Sequence, residues 1–290
     1  MRSLLFVPAD SERKLLKASA SGADALILDL EDSVAPANLP QARVLAREYL
    51  ESHRDRTRQK LWVRINPVQS ALALADLAAI MPGGPDGIML PKPDSANECV
   101  VLGHYLDALE MREGLGQGST AILPVVTESA RALFTLGTYQ GVSSRLFAMT
   151  WGAEDLSAAL GASTNRIPSG DYEFTYRMAR SLCLLGAASV GALAIDTLWS
   201  NFKDPEGLVR DANEARIAGF SGKIAIHPDQ VAVINESFTH SLTEIERARR
   251  IIEAFEAQPG IGTLQLNGQM LDRPHLAQAR RILAQQTSIA

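Results

Sequence analysis

A chain of 290 residues, 46% hydrophobic and 21% charged, has the make-up of an ordinary globular protein and room for one large α/β barrel plus an appendage. Its formal net charge of −5 gives no basic field for a polyanion, so nucleic-acid binding is not expected and a small acidic substrate needs local cations. The apolar stretch in "MRSLLFVPADSER" is too short for a signal segment and no run approaches a membrane span, so the expectation is a cytoplasmic protein with no membrane partner.

Taken in chain order, short β-type runs alternate with longer helical segments. The runs are "SLLFV", "ALILDL", "LWVRIN", "GIMLPK", "AILPVV", "RLFAMT", "ALAID" and "KIAIHP". Between them, segments such as "ERKLLKASAS", "LPQARVLAREYL" and "YRMARSLCLLGAA" carry apolar positions three and four apart. Eight strand–helix alternations predict a (β/α)8 TIM barrel. A doubly wound dinucleotide fold would want G-x-G-x-x-G after an early strand, whereas strand one ends in "VPADSE", and no Walker loop is present. Cys99 and Cys183 fall in helical segments without CxxC or Cys/His spacing, which points to reduced thiols.

After the eighth run, Thr243 with Glu246 three residues on suggests a capping box, and Ile245, Ala248, Ile252 and Phe255 form a stripe that predicts a helix closing the barrel. The barrel domain is thus expected over 1–256. A hinge "QPGIG" leads into residues 257–290, a C-terminal flap built of a hairpin turning at Asn267-Gly268 and a helix opened by Pro274.

Strand parity places polar side chains at the strand ends. Asp29 and Glu31 oppose Leu26, Leu28 and Leu30; Arg64 and Asn66 oppose Leu61, Val63 and Ile65. By the same reading Glu128 follows Pro124 and Val126, Asp196 follows Ala194, and His227 follows Ala225 toward the barrel axis, where barrel active sites lie. Each also has a plainer reading. Glu128 at a helix start can pair with Arg131, Asp155 can cap a helix, and Arg64 can neutralise Asp29 or Glu31. His227 can be structural, Lys92 a solvated charge, and Asp196 the cap of a turn. Jointly, carboxylates gathered at one mouth repel one another unless cations share the space, which invites Mg²⁺ (or Mn²⁺) and an arginine. The histidines lack zinc spacing.

The motifs "RSLLFVP", "ADALILDLEDSVAP", "VRIN", "IMLPK", "VVTES", "MTWGAEDL" and "KIAIHPDQV" together resemble the citrate lyase β-subunit and the malyl-CoA and citramalyl-CoA lyases, within the aldolase superfamily of 2-oxo acid and acyl-CoA enzymes. The resemblance implies that Glu128 and Asp155 bind Mg²⁺ and that Arg64 grips the carboxylate of the 2-oxo acid. Asp29, Glu31 and Asp32 match groups that orient metal-bound water, and Glu154 matches an outer neighbour of Asp155. Phe6, Lys17, Ile226 and His227 match positions along the acyl-CoA site, with Lys92 beside them. "NGQMLDRPHLAQARRIL" is similar to the flap of malyl-CoA-type enzymes, so Asp272 matches an acid/base that reaches a neighbouring subunit of a homo-oligomer, a trimer or hexamer. Ala9 stands where relatives often carry glycine.

The resemblance implies a Mg²⁺-dependent carbon–carbon lyase that cleaves a 3-hydroxyacyl-CoA such as malyl-CoA or citramalyl-CoA to acetyl-CoA and a 2-oxo acid. The alternatives are a citrate lyase β-subunit working on an acyl-carrier-protein thioester, an acyl-CoA thioesterase of the same family, and a non-enzymatic acyl-CoA-binding module.

Overall fold

The computed structural model describes residues 1–287. The chain forms two compact units, Met1–Asn235 and Glu236–Ala290.

In the first unit the strands are β1 (Ser3–Pro8), β2 (Ala25–Asp29), β3 (Lys60–Arg64), β4 (Gly87–Leu90), β5 (Ala121–Pro124), β6 (Ala148–Thr150), β7 (Leu193–Asp196) and β8 (Gly222–Ala225). The intervening helices are α1 (Glu12–Ser19), α2 (Leu39–Ser52), α3 (Ala71–Ile80), α4 (Asn97–Glu113), α5 (Ala130–Thr135), α6 (Ala153–Leu160), α7 (Phe174–Ser189), α8 (Pro205–Ala218) and α9 (Pro228–Ser237). The strands run parallel in the order β5-β4-β3-β2-β1-β8-β7-β6. Single parallel bridges Ile122–Leu146 and Val125–Thr150 join the two outer strands, so the sheet closes on itself as the eight alternations predict.

The inner face is apolar. Leu4, Ala25, Ile27, Trp62, Met89, Leu123, Val125, Ala148, Ile195 and Ile224 make one buried cluster; each large side chain fully buried there contributes about 1.5–3 kcal/mol. Gly87 makes room for Trp62, since a Cβ at Gly87 would lie 2.3 Å from the indole. Below the β5/β6 seam, Arg145 is clamped to Glu110 of α4 by two contacts of 2.6 and 2.7 Å. Burial opposes the Glu110 charge, but Arg145 and the N–H groups of Thr120 and Gly118 outweigh it and hold the carboxyl at about 2.

Parity holds for Asp29 and Arg64, which share the inner face with Ile27 and Trp62. It fails for Asp196. Ile195 takes the inner position, and Asp196 turns to the helix layer, where it binds Arg180 of α7 at 2.8 and 3.0 Å, Lys223 at 2.7 Å and the Trp151 indole N–H at 2.8 Å. Neither a turn cap nor an axial residue, it neutralises two buried cations. Glu128 likewise does not ride on Pro124 and Val126, because Leu123 and Val125 hold the inner face; the loop beyond β5 delivers it.

The second unit contains α10 (Leu242–Glu256), the hairpin β9 (Thr263–Leu266) and β10 (Gln269–Asp272), and α11 (Arg273–Thr287). Asn267 and Gly268 both adopt positive φ, 50° and 79°, as a two-residue hairpin turn requires. The capping box lies two residues earlier than Thr243 and Glu246: Ser241 accepts the Glu244 N–H at 3.2 Å, and Glu244 accepts the Ser241 N–H at 2.8 Å. Both pairs fit the spacing, but Ser241 has the extended backbone of a cap (φ −66°, ψ 155°) while Thr243 is already helical. The buried stripe is Ile245, Ala248, Ile251 and Phe255, with Ile252 only half-buried. Ala248, Ile251 and Phe255 of this stripe pack with Leu264, Leu271 and Ala279 in a core of the C-terminal unit.

Cys99 and Cys183 are buried free thiols, and burial pushes Cys99 up to about 12. Among the described residues no helix is long and apolar enough to cross a membrane.

Candidate active site

β2 and β3 end side by side, their register pairing Asp29 with Arg64. The guanidinium donates Nε and Nη2 to the two Asp29 oxygens, both at 2.6 Å, and Nη1 lies 3.1 Å from Glu31. Its face rests 4.5 Å above the Phe6 ring. Burial works against the Asp29 charge, yet Arg64, with hydrogen bonds from Ser33 and Glu31, keeps this carboxyl below the usual range. Burial also opposes the Arg64 charge, and its acids more than compensate. The plain reading of Arg64 as a buried ion-pair partner is therefore correct in geometry. It leaves donors over: of five guanidinium N–H groups, two are hydrogen-bonded to Asp29, while Nη1 pairs with Glu31 by charge.

Lys92 stands between Pro91 and Pro93 with φ 51°, a left-handed backbone that costs a non-glycine residue about 1–2 kcal/mol. That turn aims its N–H at Glu128 Oε2, 2.5 Å away. Its ammonium contacts Glu31, lies 3.0 Å from Asp32 and stands 3.5 Å from Asp155. Lys92 is thus no solvated charge. Burial alone would push it down, but these acids raise it. Glu31 sits above the usual carboxylate range, first because it is buried and further because of Asp32, although Arg64 and Lys92 pull the other way.

Glu128 is 6% exposed. Burial first, then the Asp155 and Glu31 charges, drive its carboxyl well above the ordinary value against the Lys92 N–H and Arg64. It rests against Gly152, the N-cap of α6: a Cβ there would meet Glu128 Cγ at 2.9 Å. Asp155 follows in the first turn of α6, where the helix dipole favours negative charge. Ser129, not Glu128, caps α5, and its hydroxyl donates to Asp94 at 2.6 Å, tying the β4 and β5 loops together.

Beside this cluster a cavity of about 460 Å³ is lined by Phe6, Lys17, Ile226 and His227, together with Arg13 and Lys14 of α1. His227 stacks on Phe202, centroids 5.2 Å apart, and its Nδ1 accepts the Asp229 N–H at 3.2 Å. Phe6 belongs to both places, since it lines the cavity and carries Arg64.

Residues 2–228 match the HpcH/HpaI aldolase/citrate lyase family over most of the chain. The chain belongs to this family. Citrate lyase subunit beta of Haemophilus influenzae is 33% identical over 97% of this chain and 95% of its own length. Mitochondrial citramalyl-CoA lyase of Mus musculus is 34% identical over 99% and 86%. Among solved structures, the protein CitE of Mycobacterium tuberculosis in complex with magnesium, acetoacetate and coenzyme A has a TM-score of 0.79 and 33% identity, over 99% of this chain and 98% of that one. The aldolase/citrate lyase family is thus a family of lyases on a TIM-barrel frame, and this chain is an enzyme of that class.

Of the residues singled out in sequence, the barrel brings together Arg64, Glu128, Asp155, Lys92, Asp29, Glu31 and Asp32. Glu154 stands exposed on α6 and is not drawn into that set. Asp272 ends β10 in the second unit, its Oδ1 2.5 Å from His275 Nδ1. Sequence reading passes over Arg13, Lys14, Phe202 and Gly152. A basic run on the helix after strand one could signal the first two; nothing local marks Phe202 or Gly152.

Among the described residues no three His, Cys, Asp or Glu side chains form a ready metal cage. The donor set nonetheless suits a hard cation held through one or two carboxylates with its other positions left to water and substrate. Glu128, which rests against Gly152 and takes the Lys92 backbone N–H while Asp155 faces the Lys92 side chain, is a carboxylate of the kind that could hold such a cation.

Proposed function

We propose that this chain is a Mg²⁺-dependent carbon–carbon lyase that catalyses the reversible Claisen cleavage of a 3-hydroxyacyl-CoA bearing a further carboxylate, such as malyl-CoA or citramalyl-CoA, to acetyl-CoA or a near relative and a 2-oxo acid. The observation that carries this reading is the meeting of Arg64, Glu128 and Asp155 at the strand ends beside a basic, partly apolar cavity. The magnesium, acetoacetate and coenzyme A held by the M. tuberculosis CitE support it.

Glu128 and Asp155 would hold Mg²⁺ (or Mn²⁺), which when bound supplies Lewis-acid polarisation of the substrate's oxygens. Arg64, fixed by Asp29 and Phe6, turns N–H groups not spent on Asp29 to the 2-oxo acid carboxylate as charge-assisted hydrogen bonds. Asp29, Glu31 and Asp32 keep the cations in place. Lys17, Arg13 and Lys14 face the phosphates of the CoA arm while Phe6 and Ile226 line its apolar part. In the condensation direction Asp272 takes a proton from the carbon next to the thioester carbonyl, the enolate carbon bonds to the carbonyl carbon of the 2-oxo acid, and the resulting alkoxide takes a proton from solvent. In cleavage the hydroxyl proton goes to solvent, the carbon–carbon bond breaks to the 2-oxo acid and the enolate, and Asp272 returns a proton to the enolate carbon. His275 orients Asp272. The base belongs to a neighbouring subunit of a trimer or hexamer.

The test is a panel of CoA thioesters with Mg²⁺, with released 2-oxo acid and free thiol read separately. A 2-oxo acid formed in step with acetyl-CoA, and lost in excess chelator, is the expected result. Thiol without 2-oxo acid would make the protein a thioesterase. Turnover only on an acyl-carrier-protein thioester would make it a citrate lyase β-subunit, and binding without turnover an acyl-CoA-binding module.

A further inference from the structure

Lys92 does two separate things with two separate parts. Its backbone is pinned between two prolines in a left-handed turn, and the N–H is spent on Glu128. Its ammonium, on a flexible four-carbon stem, reaches three carboxylates, of which Asp155 at 3.5 Å is the most distant and lies beyond good hydrogen-bond length. Glu31 and Asp32 are closer. The ammonium can therefore leave Asp155 without any backbone movement and without losing its remaining acids.

Charge counting gives the motive. Asp29, Glu31, Asp32, Glu128 and Asp155 face Arg64 and Lys92, five negative groups against two positive, a formal −3 when all are ionised. A dication brings this to −1. It would also stand beside an ammonium of like charge at Asp155.

We propose that Lys92 is a resident counter-cation that competes with Mg²⁺ for Asp155, so that cation binding drives its ammonium off Asp155, leaving it on Glu31 and Asp32, and thereby sets the affinity of the site. This rests on the reading of Glu128 and Asp155 as cation ligands. Without the dication, Lys92 keeps the acids from repelling one another; with it, Lys92 weakens binding and keeps the cation exchangeable.

The experiment is calorimetric Mg²⁺ titration of the full chain, with thermal melting in the presence and absence of Mg²⁺, for wild type, Lys92→Met and Lys92→Arg. Removing a unit charge at this range makes Lys92→Met bind Mg²⁺ about ten-fold more tightly, melt lower than wild type without Mg²⁺, and gain more from adding it. Lys92→Arg, which keeps the charge, stays within about two-fold of wild type. If Lys92→Met does not fold, Lys92→Gln repeats the test, and crystal structures of wild type with and without Mg²⁺ read the exchange directly as a lengthened Lys92–Asp155 distance. Equal or weaker Mg²⁺ binding by a folded uncharged variant, or an unchanged Lys92–Asp155 distance, overturns the proposal while leaving the lyase reading intact. Failure of wild type itself to bind Mg²⁺ removes the cation from the lyase reading, and the exchange with it.

Discussion

Gly152→Ala isolates the packing beneath the reactive acids. The backbone at Gly152 has φ −118°, which any residue adopts, so the substitution acts through its Cβ alone. That atom would lie 2.9 Å from Glu128 Cγ and 3.4 Å from both Glu128 Oε1 and Val125 Cγ1. Ordinary contact begins near 3.4 Å, so Glu128 must retreat by about 0.5 Å (3.4 minus 2.9) while its other oxygen is held by the Lys92 N–H at 2.5 Å. Overpacking of this kind costs about 1–3 kcal/mol, a drop in melting midpoint of roughly 2–12 °C for a unit of this size. Since a 1 Å misplacement at a reacting centre costs about 100-fold, half that displacement predicts roughly a ten-fold loss of kcat. Mg²⁺ affinity by calorimetry should fall with it. Gly103→Ala, whose Cβ meets nothing within 4 Å in α4, is the control and should instead gain about 0.5–1 kcal/mol. Wild-type turnover and cation affinity in a folded Gly152→Ala protein would refute the claim that this gap shapes the site.

Glu128→Ala and Asp155→Ala should each abolish Mg²⁺-dependent release of 2-oxo acid; retained turnover in either removes that residue from the cation site. Asp272→Asn should leave acyl-CoA binding within about two-fold while lowering kcat by about 100-fold or more, as removal of a general base does, and an unchanged kcat would end its assignment. Because the Glu110 carboxyl is held at about 2 against 4.5 for an ordinary glutamate, its stabilising share is complete above about pH 4.5 and is lost as pH falls through about 2. Glu110→Gln should flatten the melting curve against pH across that window, and should cost about 3–5 kcal/mol at neutral pH by leaving Arg145 buried with half a partner. Lys223→Met, which removes one of the two cations that neutralise buried Asp196, should cost a similar 3–5 kcal/mol with little effect on Mg²⁺ affinity.

The barrel is legible in sequence because its information is local. Eight apolar runs of strand length separated by periodic helices permit few other arrangements, and Asn267-Gly268 announces its own turn. Parity also works where a polar residue closes a strand, as at Asp29 and Arg64. It misleads once the backbone leaves the strand or a stronger partner lies on the other side. Asp196 obeys Lys223 and Arg180, which are 27 and 16 residues away in sequence, and no window of local pattern contains that pairing. The same limit applies to Gly152. Its role is defined by a side chain from another strand's loop, and only the folded chain shows the gap it leaves. The stripe over 242–256 likewise reveals that the helix has an apolar partner, but not that Leu264, Leu271 and Ala279 are among the residues that supply it.

Seven neighbouring strand pairs share ladders, while β5 and β6 meet through isolated bridges closed by the Phe147 and Val126 amides. Arg145 and Glu110 rivet this joint at its foot, and Glu128 and Asp155 descend from its two sides at the top. A dication shared by those acids would act as a clasp on the join that has no ladder. Filling the site should therefore slow deuterium uptake at Val126 and Phe147 before it changes any amide on the opposite wall of the cylinder.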